Sequence, residues 1–407
     1  MRTFCIMLRL LLIPAWGGAV APKVGEPLPA WSEGDLDIHH INTGLGESSF
    51  FILPDGTTLL VDACASDDKM PWRAEPRPDG SRTGGEWIAR YIERATAGMP
   101  KKILNYAMLS HFHQDHMGAV SKSTAGSRVG PYQASGITDV ADFLKIEKLI
   151  DRKWPEYGGP GGPWNDLKMA NYAKFLEWQI RNNGLVVECA KPGAADQIVL
   201  RNAPENFPGF AIRILAASGV VWTGKGTETR KLFQGDSETK LTENKSSIAF
   251  RLIYGKFKYY SGGDLDCVRV DTEPDTMPNI ETAVAQACGS VDAMKANHHG
   301  NYDANGVSFL RLMSPRVVVI DTWAASQPSM NIWRRLRDKT VWPGEREVLA
   351  TNVMPAAALA IHDEKAQVHG HIVVRVSPGG DEYNVYRIED SDESGRVKSA
   401  SGPYKAK

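Results

Sequence analysis

The run His111-Phe112-His113-Gln114-Asp115-His116 constrains this chain more than any other feature, because it places four metal-ligating side chains within six residues. Imidazole nitrogen and carboxylate oxygen are the donors that borderline divalent metals prefer. Three of the ten histidines in the chain fall in this run. Histidines satisfied only by hydrogen bonds in a loop do not gather at ligand spacing. Residues 103–109 form an apolar run that reads as a buried strand, and Gly118 and Ala119 follow the motif. A strand that ends in a sharp turn can aim several short side chains into one concave space.

Two later segments add donors of the same kind. Residues 257–260 read as a strand, followed by the turn Ser261-Gly262-Gly263-Asp264-Leu265-Asp266. Asp264 is preferred to Asp266 because it follows the glycines directly. A second strand leads into Asn297-His298-His299-Gly300. One of His298 and His299 would ligate a metal and the other would hydrogen-bond substrate or orient a ligand; sequence leaves the choice open.

The His-x-His-x-Asp-His run resembles the signature of the metallo-beta-lactamase superfamily. The resemblance implies an α/β fold, an αββα sandwich with metals at one edge of the two sheets. It implies a first metal on His111 and His113, a second on Asp115 and His116, and a bridging Asp264 whose two oxygens reach both ions. It further implies one or two Zn²⁺ ions, with Mn²⁺ as the alternative, and a hydroxide generated on the metal as nucleophile, held and oriented by Asp115 and Asp264. The turn Gly262-Gly263-Asp264-Leu265-Asp266, the His-His-Gly run, the opening Gly44-Leu45-Gly46-Glu47 and residues 314–320 are similar to one branch of that superfamily. This branch includes the hydrolase domain of ComEC-type DNA-uptake proteins and the bacterial phosphorylcholine esterases.

One departure shapes the expected activity. Lactam- and thioester-cleaving members carry a further histidine between the first motif and the bridging aspartate, whereas here none lies between Met117 and Lys295. The first site is then open, weak, or completed by water or another carboxylate. This favours a phosphodiesterase over a lactone, lactam or other carbon-ester hydrolase. A non-catalytic reading, a degenerate member that binds a ligand or a surface partner, is opposed by the intact first motif. Lys245, Ser246, Ser247 and Asn301 are candidate donors to the ester. No leaving-group acid can be named, and Tyr302 and Asp303 are only neighbours of the histidine pair.

A formal net charge of −1 gives no general basic field to gather nucleic acid. The expected partner is a small or polymeric phosphoester. Residues 1–21 order a charged, an apolar and a small-residue stretch as a secretory signal does, so a secreted or periplasmic location is expected, and a cytoplasmic one otherwise. No other apolar run reaches the ~18 residues of a membrane span. Five widely spaced cysteines, one of them in the signal, are too few to frame the fold with disulfides. The expected organisation is a hydrolase domain over 35–388, an insertion over 122–205 that either borders the cleft or is an elaboration packed on the sheet, and a flexible polar tail over 389–407. Within the domain, a hairpin is expected in 35–62, helices over 87–95 and 164–182, and a C-terminal hairpin over 373–388.

Overall fold

Short strands, many of them buried on both faces, build two sheets that share one core. The computed structural model describes residues 23–66, 70–100, 102–157, 166–267, 279–363 and 368–407. The expected signal over 1–21 lies outside the described residues. The strands are β1 (Leu36–His40), β2 (Ser49–Ile52), β3 (Thr58–Val61), β4 (Ile103–Met108), β5 (Lys145–Asp151), β6 (Val186–Cys189), β7 (Phe210–Ala217), β8 (Val220–Trp222) and β9 (Thr229–Lys231). They continue with β10 (Ala249–Tyr254), β11 (Phe257–Ser261), β12 (Ala293–Lys295), β13 (Val317–Ile320), β14 (Glu347–Ala350), β15 (His371–Val376), β16 (Glu382–Ile388) and β17 (Val397–Lys405). The helices are α1 (Gly84–Ala95), α2 (Gln114–Met117), α3 (Ile137–Val140), α4 (Leu167–Asn183), α5 (Ile280–Cys288), α6 (Val307–Met313), α7 (Met330–Arg337) and α8 (Pro355–Ile361).

The first sheet has nine strands in the order β17-β16-β15-β1-β2-β3-β4-β5-β6, and the second has eight in the order β14-β13-β12-β11-β10-β7-β8-β9. Leu36, Ile38, Phe51, Leu59 and Met108 of the first sheet pack against Ile212, Phe250, Leu252, Tyr259 and Val319 of the second. The opposite face of the first sheet is covered by α1 and α4, through Ile88, Ile92, Tyr172 and Phe175. The opposite face of the second is covered by α5 to α8, through Val284, Phe309, Trp333 and Ile361. The layers are therefore helix, sheet, sheet, helix, and the αββα architecture follows from which face each strand buries.

The period of two along each strand decides what reaches the site. Ala293 packs between the sheets and Met294 under the helices. Lys295 therefore points back between the sheets, at their edge. Strands β3 and β4 are parallel in the first sheet, as are β11, β12 and β13 in the second. Their carboxyl ends open at one edge of the sandwich, where loops of open α/β sheets collect ligands.

Residues 122–205 carry β5, α4 and β6, which extend the first sheet in parallel and cover it. Helix α4 is fixed at both ends: Asp166 accepts a hydrogen bond from the Met169 amide at 2.8 Å, and Gly184 turns left-handed at φ 68°. The expected flexible tail is corrected by the structure. Strand β17 pairs antiparallel with β16, and Val397 packs on Val373, Tyr386 and Ile388. Its polar groups have partners: Ser401 Oγ and Tyr404 Oη donate to Glu347 of β14, at 2.6 and 3.0 Å. Polar composition marks disorder only where the polar groups lack partners, and here they tie the edges of the two sheets together.

Removing residues 396–407 should therefore lower the melting temperature by several degrees; an unchanged melting curve would contradict the bracing role. A second stability term is set by pH. Burial pushes the Asp37 carboxyl up, but Arg375 opposite it in the β1–β15 pair outweighs this and holds it at about 2. The stability this confers, about 2 kcal/mol, is complete above about pH 4 and is lost as pH falls toward 2. Urea midpoints of wild type should exceed those of Asp37→Asn at pH 6, and the gap should shrink by pH 3.

Candidate metal centre

The first motif leaves β4 and is folded back by one carboxylate. Asp62, just past β3, accepts from the Ser110 amide at 2.7 Å, from Ser110 Oγ at 2.6 Å and from His116 Nδ1 at 2.8 Å. His116 is thereby locked with Nε2 turned into the site. His299 is oriented the same way, its Nδ1 donating to the Asp321 carbonyl at 2.7 Å. Beneath the motif, Glu243 accepts from the Phe112 amide at 2.8 Å and pairs with buried Arg152.

Asp264 Oδ2 lies at the centre of the cluster. It stands 3.1 Å from His116 Nε2, 3.3 Å from His299 Nε2, 3.8 Å from His111 Nε2 and 3.9 Å from His298 Nε2. His299 Nε2 also lies 3.1 Å from Asp115 Oδ2 and 3.2 Å from His116 Nε2, and His111 Nε2 lies 3.1 Å from His113 Nδ1. Donors about 2.1 Å from one tetrahedral ion stand roughly 3.4 Å apart, which is the spacing seen here. Among the described residues the donors form two groups that share Asp264: Glu47, His116, Asp264 and His299, and separately His111, His113 and Asp264. Asp264 Oδ1 is buried and has no hydrogen-bond partner. The donor set and the orphaned Asp264 oxygen fit one or two borderline divalent cations.

The electrostatics make the same demand. Burial disfavours a charged imidazole at His116, yet Asp264, Asp115 and Asp62 outweigh it and hold that ring well above the ordinary histidine range. At His299 burial is likewise overcome, by Asp264 and Asp115, and the ring is pushed up to about 10. His111 moves the other way, because burial and neighbouring His116 both oppose its charge. Burial raises Asp264 and Asp115, but the imidazoles prevail and hold both below the carboxylate range. The carboxylates draw positive charge to this point, and a cation would answer the same pull.

Every residue singled out by sequence lies at this edge, in different roles. His111, His113, Asp115, His116, Asp264 and His299 converge. His298 diverges: its Nδ1 donates to Asp303 at 2.7 Å, its Nε2 faces Asp264 and Asn244 Nδ2, and its side chain keeps 18% exposure. Both histidines are left-handed, at φ 46° and 52°, which sends adjacent side chains to different places. Asp266 is held away from the cluster by Lys245. Ser246 Oγ donates to the Thr242 carbonyl, and Ser247 Oγ accepts from the Asp264 amide, so both serve the loop rather than stand free for an ester. Asn301 follows the histidine turn, its amide donating to the His298 carbonyl at 2.8 Å.

Sequence reading missed Glu47, Asp62, Lys295 and Asp321. Asp62 closes the apolar strand β3, and an aspartate at that place was a usable signal. His39 and His40 take no place in the cluster: His39 Nδ1 pairs with Tyr91 Oη, and His40 Nδ1 donates to Asp321.

A cavity of about 550 Å³ adjoins the cluster, lined by His113, Asp115, Asp166, Leu167 and Lys168. A second of about 500 Å³ shares Gln114, Ala119 and Val120 with it and reaches Arg73 and Thr124. The four described cysteines are free thiols, and no described helix is long and apolar enough to cross a membrane.

No protein-family profile matches the chain, and no curated protein matches it. Among solved structures it is similar to a mutant of the CmlA beta-hydroxylase, at 12% identity and a TM-score of 0.38, over 85% of this chain and 55% of that one. The chain thus spans about half the length of that protein. It is similar also to a protein of Thermotoga maritima described as a Zn-dependent hydrolase of the metallo-beta-lactamase superfamily, at 12% identity and a TM-score of 0.31, over 78% of this chain and 100% of that one. The short form of human tRNase Z gives 11% identity and a TM-score of 0.32, over 69% and 91%. Likenesses this distant carry no argument for activity.

Elemental analysis separates the two adjacent histidines. His299→Ala should lose bound divalent metal, whereas His298→Ala should retain it; equal metal content in both variants would contradict the division.

Proposed function

We propose that this chain is a metal-dependent hydrolase of the metallo-beta-lactamase type that cleaves a phosphodiester. The observation that carries the reading is the convergence of six imidazole and carboxylate side chains, from both sheets, beside an open cleft that His113 and Asp115 line. His111, His113 and Asp264 would hold one cation, and Asp115, His116, Asp264 and His299 a second, with Zn²⁺ and Mn²⁺ the candidates. A divalent cation there supplies Lewis acidity and makes water acidic enough to yield a nucleophile near neutral pH.

The chain itself does the rest. Lys168 is anchored to the Phe112 carbonyl and lines the cleft beside His113. Its positive charge suits a phosphoryl group more than a neutral amide. Asp303 holds His298 with Nε2 toward the centre, at a place where a ring N–H can pass a proton to a departing alkoxide. The two adjoining cavities leave room for an ester with substantial groups on both sides. The absent third histidine and the likeness of the Gly-Asp and His-His-Gly runs to phosphoester-cleaving proteins favour the same substrate class.

Metal-loaded protein should hydrolyse bis(p-nitrophenyl) phosphate with a far higher kcat/KM than a cephalosporin. Asp264→Asn should lower kcat by orders of magnitude and Asp266→Asn much less. His298→Ala should cost more with alkyl than with nitrophenyl leaving groups, up to ~10²-fold or beyond, as loss of a proton donor predicts. Efficient lactam turnover by wild type would overturn the substrate class.

A further inference from the structure

Glu47 lies within the first donor group, yet the reading above gives neither it nor its buried partner Lys295 a ligand role. Glu47 and Lys295 are both fully buried, and Lys295 Nζ lies 2.7 Å from Glu47 Oε2. Glu47 belongs to the loop between β1 and β2 of the first sheet; Lys295 ends β12 of the second.

We propose that Glu47 and Lys295 are a positioning pair that holds the three ligand-bearing segments in register around Asp264. This rests on the metal reading above. The first segment is tied through the backbone of Glu47, whose amide donates to the Asp115 carbonyl at 2.9 Å. That approach needs Gly46: a Cβ there would stand 2.2 Å from the same carbonyl oxygen. The second is tied through Lys295, whose Nζ donates to the Gly263 carbonyl at 2.6 Å and lies 3.9 Å from Asp264 Oδ1. The third follows Lys295 directly in the chain. The His298 amide donates to that same Gly263 carbonyl, and Glu47 Oε2 lies 3.8 Å from His299 Nδ1. An ammonium has three protons to give; Glu47 and Gly263 take two of them, and Asp264 Oδ1 stands 3.9 Å away.

The pair is also balanced in itself. Removing one member strands a buried charge, which destabilises strongly, whereas removing both need not. Stability and positioning can therefore be separated. The full chain and the variants Lys295→Met, Glu47→Gln and Glu47→Gln/Lys295→Met are stripped with chelator. Each is then measured for melting temperature and for Zn²⁺ affinity and stoichiometry by chelator competition.

Both single variants should melt well below wild type. The double variant should recover most of that loss yet bind Zn²⁺ ~10–100-fold more weakly, the usual effect of removing groups that orient metal ligands. A folded double variant with wild-type affinity and stoichiometry would reduce the pair to a charge-balanced structural contact and overturn the proposal. A double variant that cannot fold would overturn the claim that the pair is self-balanced. Wild type that binds no Zn²⁺ or Mn²⁺ would instead overturn the metal reading itself, and the proposal with it.

Discussion

One carboxylate oxygen, Asp264 Oδ2, organises the functional edge of this protein. Four imidazole Nε2 atoms lie within 3.1 to 3.9 Å of it, and they come from loops of both sheets. Bulk solvent barely reaches Asp264, which is only 1% exposed. A buried carboxylate is tolerated when positive charge or hydrogen-bond donors surround it. The surrounding structure can be read as the means of bringing those groups to one place. Parallel strands end there, Asp62 and Asp321 turn the rings inward, and glycines let the backbones approach.

The parts legible in sequence share one property: their chemistry is dense in a short segment. The six-residue motif announced its ligands without help from the fold. Helix α1 was legible because Trp87, Ile88, Tyr91 and Ile92 keep a helical period, and β1 to β3 because short segments are bounded by turn residues. The sandwich itself was not in the periodicity. It came from the resemblance, and the faces buried by each strand bear it out.

The illegible parts depend on long-range pairing. Glu47 and Lys295 are 248 residues apart (295 − 47), and nothing local marks either as a site residue. Asp62 and Asp321 act through the unused ring nitrogens of His116 and His299, a relation visible only in space. The tail was misread for the same reason. Its composition is that of a solvated segment, but Glu347 on the edge strand β14 accepts from its hydroxyls, and Asp292, just before β12, accepts from the Lys407 amide.

The histidine pair shows how much structure can be committed to orientation alone. Two consecutive residues other than glycine in the left-handed region cost of order 1–3 kcal/mol each, so the loop must be held there. Helix α5 holds it by burying Glu281 completely. Glu281 accepts from Asn297 Nδ2 and the Asn305 amide, both at 2.7 Å, and from the Gly306 amide at 2.9 Å. Burial pushes the Glu281 carboxyl up, and its amide donors pull it back, so a costly group serves only to clamp a turn. The clamp is what lets neighbours in sequence take unlike roles. His299 turns into the donor cluster, while His298 keeps Nε2 toward Asp264 and Asn244 with Asp303 on its other nitrogen. A relaxed backbone would have no comparable means of holding the two rings apart, and a single imidazole could not occupy both places.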